Sequence, residues 1–198
     1  MTVTLFTRPD EPEWRRYLAS PEVQKRLKMT LALDERLKAI RALYPADAQS
    51  DDTELITHVQ LFASQRPAKT RQERQVLMHE LFTSGEVPMP GATGQVLTPE
   101  RGLEHHEVVT SALCRAHPEA FLQSTVLQDP VALELACQAM ELPSPHQPLL
   151  TTALDTWQHY TDVCGEFHDF RLAHKLSLAE LRLLLVDYPA ARGASTKS

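Results

Sequence analysis

Nine histidines stand in this 198-residue chain, and seven fall in residues 85–198: His105, His106, His117, His146, His159, His168 and His174. The same stretch carries 14 Asp/Glu against 7 Lys/Arg. Imidazole and carboxylate groups on helices are the raw material of metal centres and of acid–base sites. Three groupings arise. Glu104-His105-His106-Glu107 lies near a helix start, but sequence neighbours point about 100° apart. One centre cannot use all four, and the plain reading is a solvated start whose acids complement the helix dipole. His159, Asp162, Glu166 and Asp169 follow at steps of three, four and three, which is one polar stripe. It suits a cation site, a docking face for a basic partner, or simply a solvated acidic face. The third grouping is Phe167-His168-Asp169-Phe170-Arg171-Leu172-Ala173-His174. An arginine in an apolar stripe is costly to bury alone, so Arg171 is expected to pair with an acid on another helix. The candidate metal ligands are His105, His106, His168 and Asp169. His174 and Arg171 are the candidate cofactor residues, with haem or a divalent transition metal as the group they would hold.

Two resemblances attach to the third grouping. Phe170-Arg171-Leu172-Ala173-His174 resembles the aromatic-Arg-x-x-His stretch of the tryptophan dioxygenase-like helical haem proteins. The match spans five residues. It implies that His174 is an axial haem ligand, and nothing else is carried over. His168-Asp169 resembles the His-Asp pair of the all-helical metal-dependent HD phosphohydrolases. That likeness implies an earlier ligand at His105 or His106 and a later one at Asp187.

Standard motifs are absent. No histidine has Glu three residues before it, as ferritin-like di-iron helices require. His79-Glu80 and His106-Glu107 are followed by Thr83 and Thr110 where a zincin needs its second histidine. There is no Gly-x-Ser-x-Gly elbow and no phosphate-binding glycine loop with its lysine. Cys114, Cys137 and Cys164 are odd in number and lie in apolar helical contexts. They predict free thiols and a reducing compartment. The first ten residues lack a signal-peptide pattern, and no apolar run reaches ~18 residues. A cytoplasmic protein without a membrane span is expected. Net charge is −6, split as +1 over residues 1–84 and −7 over 85–198. Nucleic acid is therefore a poor partner. The one exception is a helix-turn-helix reading of 52–65 and 70–83, which would place Lys69, Arg71 and Arg74 on phosphates.

The elements that must position these residues are helices. Leu (29) and Ala (21) supply about a quarter of the chain, against 12 Val and 2 Ile. The expected fold is all-α, a compact bundle of about eight helices joined by short proline-marked turns. Helix starts and stops predict segments 13–19, 21–44, 52–65, 70–83, 98–116, 118–127, 130–142, 149–176 and 177–188. Pro45 and Pro189 act as stops, and 143–148 is a stiff connector. Residues 1–10 form an extended lead-in, and those from Ala191 a frayed tail. Gly165 is a weak point in the long helix. Residues 85–98 form the one long loop. The chain is expected to be a single domain over 1–198, divided at most into subdomains 11–84 and 98–189 joined by that loop. The leading functional expectation is a helical interaction or regulatory protein that binds a protein partner or itself. A histidine-dependent metal or haem enzyme comes second, and a DNA-binding regulator third.

Overall fold

The computed structural model describes residues 11–29, 51–123, 130–142 and 152–195. Among them the fold is all-α, as the composition predicts. The helices are α1 (Glu13–Ala19), α2 (21–29), α3 (Asp51–Ser64), α4 (Arg71–Thr83), α5 (Pro99–Glu104), α6 (His106–Ala116), α7 (Pro130–Ala139), α8 (Ala153–Ala173) and α9 (Leu178–Ser195). The lead-in 1–10, the remainder of the 21–44 helix, the 143–148 connector and the expected start of α8 at Leu149 lie outside the described residues.

Helix starts obey the capping chemistry. Thr70 accepts from the Glu73 amide while Glu73 accepts from the Thr70 amide, a capping box that opens α4. Thr152 and Asp155 do the same for α8. Thr98 caps α5, with Pro99 at its first position. The expected 98–116 helix breaks at His105 (φ −110°, ψ 30°). The break has a packing reason: α5 lies on α8, and α6 lies on α3. Residues 118–120 make a turn, and 121–123 are not helical, so the expected 118–127 helix is absent over its described part. At the other end α9 runs through Pro189 to Ser195, past the expected stop and into the expected tail.

One apolar core joins these elements. Leu55, Val59, Phe62 and Ala63 form the buried stripe of α3, which packs on α6. Helix α4 runs antiparallel to α8: Phe82 meets Trp157 (5.1 Å between ring centres), and Arg71 meets Asp162 one turn onward. Helix α7 packs on α9. Helix α1 closes the bundle by inserting Trp14 edge-on against Phe170 (5.2 Å) and His174 (5.0 Å). The 85–98 segment is not a slack loop. Leu97 N–H donates to the Val87 carbonyl (2.8 Å) and Met89 N–H to that of Gln95 (2.9 Å). Val87 and Leu97 are buried beneath it, while Gly91 and Gly94 take the positive φ that its turn requires. No described helix is long and apolar enough to cross a membrane.

Candidate functional site

Helix α8 is the central element, and its buried residues include polar ones. Trp157, Cys164 and Phe167 are core. Thr161, His168 and Arg171 are buried too. Thr161 satisfies itself by donating to the Gln158 carbonyl (2.7 Å). His168 does not: it is 3 % exposed, and neither ring nitrogen has a hydrogen-bond partner. The Phe121 backbone lies near the ring, outside good hydrogen-bonding geometry.

Two buried guanidinium groups lie within electrostatic reach of that ring. Arg171, 8 % exposed, reaches past the end of α8, and its Nη1 donates to the Leu176 carbonyl (3.4 Å). Arg74, also 8 % exposed, comes from α4, and its Nη1 donates to the Lys69 carbonyl (3.1 Å). Gly165 makes room for it: a Cβ there would stand 2.5 Å from Arg74 Nη2. Nε of each arginine is buried without a partner. Gly165, His168 and Arg171 are three residues apart, so they lie in successive turns of α8. The expected acid partner of Arg171 is absent among the described residues.

Electrostatics follow from this placement. Burial pushes the His168 imidazole down to about 4. The Phe121 backbone opposes this, the Arg171 and Arg74 guanidiniums reinforce it, and Glu119 opposes it. At neutral pH the ring is therefore uncharged. Burial also raises the thiols, Cys114 and Cys137 to about 11 and Cys164 to about 12. A thiol that high is not a nucleophile at neutral pH.

The other sequence candidates are scattered. His105 is the half-buried hinge between α5 and α6. His106 donates from Nδ1 to the Leu103 carbonyl (2.9 Å). Their helix pair meets α8 near Trp157, where Gly102 packs. Along α8 that level is about 16 Å from His168 and about 25 Å from His174, at 1.5 Å per residue. Asp169 is exposed. His174 accepts at Nδ1 from Arg15 Nη2 (3.1 Å), and its ring packs on Trp14 and on Phe170 (4.4 Å). Among the described residues no three His, Cys, Asp or Glu side chains assemble as a metal ion would need. The acidic stripe has an internal basic partner: Asp162 accepts two bonds from Arg71 (2.9 Å each) and one from Gln75. Of the three basic residues in the helix-turn-helix reading, Arg71 is thus paired and Arg74 is buried.

Sequence reasoning found His168 and Arg171 but placed Arg74 on a different surface. A signal was present. A glycine inside a long helix marks close approach by a neighbour, and a long side chain on the opposing helix supplies it. No protein family, curated protein or solved structure matches the chain.

Proposed function

We propose that the chain is a helical regulatory protein that acts by binding a protein partner. The observation that carries this reading is a groove of about 370 Å³ beside the α3–α4 turn. Pro67, Val76 and Leu77 supply its apolar surface, and Arg66, Glu73 and Glu80 stand among its walls. Val76 is an apolar side chain left 49 % exposed. The rim is held in place: Arg66 stacks on Phe62 (3.5 Å) and pairs with Glu80 (2.8 Å) and Glu86 (3.0 Å). An apolar anchor flanked by basic residues suits this chemistry, because two carboxylates, Glu73 and Glu80, line the groove with one guanidinium, Arg66. The metal or haem enzyme and the DNA-binding regulator draw no comparable observation.

A photo-crosslinker at position 76, introduced in cells that make the protein, tests the reading. One discrete adduct is expected, lost when Glu80→Lys reverses the rim charge. Sedimentation of the purified chain separates a foreign partner from a second copy. A strict monomer that yields no adduct above a control crosslinker at Thr83 refutes the proposal.

A further inference from the structure

We infer that the partner of the α3–α4 groove is a second copy of this chain, which inserts Met29, flanked by Lys25 and Lys28, from its own α2. The inference rests on the groove reading above and names the occupant.

The first argument is what the groove asks for. Pro67, Val76 and Leu77 line it together with the carboxylates of Glu73 and Glu80. Glu73 spends Oε2 on the Lys69 and Thr70 amides, and Glu80 spends Oε2 on Arg66. Neither Oε1 bonds a described residue, so each carboxylate keeps capacity for a cation. The two stand seven residues apart, about 10 Å along α4, with Val76 between them. At about 370 Å³ the groove has the volume of about a dozen waters, so it admits a whole side chain.

The second argument is that the chain itself carries the match. Among the described residues, seven large apolar side chains are left exposed, and Met29, at 63 %, is the most exposed of them. It is also the one of the seven with cations and no carboxylate within four residues on either side. Lys25, Lys28 and Met29 stand at i, i+3 and i+4, so they share one face of α2, and all three are exposed. The other side of α2 buries Val23 and Leu27. Arg26 pairs with Asp187, whereas neither lysine pairs with a described acid. An unbranched thioether adapts to an irregular apolar recess, and lysines beside it meet the carboxylates of the rim.

The third argument is that a copy does not fill its own groove. Met29 is not among the groove's walls. Buried Val23 and Leu27, with the Arg26–Asp187 pair (2.9 Å), hold α2 on the core and α9. The contact is therefore made between copies. Because the two patches differ, a two-fold pair makes the contact twice, and a head-to-tail arrangement makes it once per neighbour. In both, Met29 of one copy enters the groove of another.

The test is sedimentation of the purified full chain over a range of concentrations. Reversible association is expected, weakened about thirtyfold or more by Met29→Glu and by Val76→Lys, since a central anchor commonly carries that much. Both positions are exposed, so both variants should keep the helical signal and thermal midpoint of the wild type. If either fails to fold, Lys28→Glu or Glu80→Lys takes its place. Leu172→Glu, at a site 62 % exposed but outside both patches, should associate as wild type does. The decisive sample is an equal mixture of Met29→Glu and Val76→Lys. Neither associates alone, but together they should form a heterodimer, because one keeps an intact groove and the other an intact Met29. A photo-crosslinker at position 76 of the purified chain should also label residues 25–29 of a copy carrying nitrogen-15. A mixture that stays monomeric, or association that survives Met29→Glu, overturns the inference. A monomeric wild-type chain whose position-76 crosslinker captures a foreign protein in cells also overturns it, but leaves the partner reading standing. A monomer with no adduct removes both.

Discussion

Acid should destabilise this protein through His168 before most of its carboxylates titrate. In the unfolded chain the imidazole takes a proton near pH 6.5, whereas in the native fold it resists until about 4. The unfolded state therefore binds the extra proton throughout that window, and stability falls as pH is lowered through it. At 1.36 kcal/mol per pH unit the loss reaches about 3 kcal/mol by pH 4. For a domain whose whole stability is of order 5–15 kcal/mol, that is a large share. The groups facing the ring set the window. Burial, Arg171 and Arg74 hold it low, and the Phe121 backbone and Glu119 pull it back. The assay is urea unfolding of wild type and His168→Gln at half-unit steps from pH 7.5 to 4. The glutamine amide has its own burial cost, but that cost does not vary with pH. The difference between the two curves should therefore slope by up to one proton between pH 6.5 and 4 and be flat above it. Parallel curves over the whole range would show that His168 is neither buried nor held neutral.

Four further outcomes follow from the packing. Gly102→Ala should cost roughly 1–3 kcal/mol, because its Cβ would stand 2.5 Å from Phe82 Cε1 and 3.2 Å from Trp157. Gly165→Ala should cost less in thermal unfolding, since a guanidinium can shift and the helix gains about 1 kcal/mol of propensity. Trp14→Ala should cost about 3–5 kcal/mol and expose α1 to limited proteolysis, as the indole is 2 % exposed against Phe170 and His174. All three cysteines should resist a disulfide-exchange reagent at pH 8 in the native state and react together on unfolding, because each is buried with its thiol raised to about 11 or 12.

Helix identity was readable because it is written locally. Thr70 with Glu73 and Thr98 with Pro99 state where a helix starts in four residues or fewer. The break at His105 was not readable, since its cause is that α5 and α6 choose different partners, α8 and α3. Pro189 misled for a related reason. A proline usually ends a helix, but the continuation through it is a property of the whole α9. His168 and Arg171 stood out by type, yet their meaning depends on Arg74, 94 residues before His168 in the chain. Helical spacing relates residues on one helix and says nothing of which side chain crosses from another. His105, His106 and His174 matched His168 in type, but the first two stand at the α5–α6 break and His174 packs on Trp14 at the end of α8.

The docking of α1 also sets a timetable. Arg15 meets His174 across 159 residues of chain, and Arg26 meets Asp187 across 161. A ribosome adding 5–20 residues per second needs roughly 8–30 s to make that interval. Throughout it, Trp14 has been made and its aromatic seat has not. The growing chain thus carries an exposed indole until the residues around His174 have been made. It is a natural landing place for chaperones.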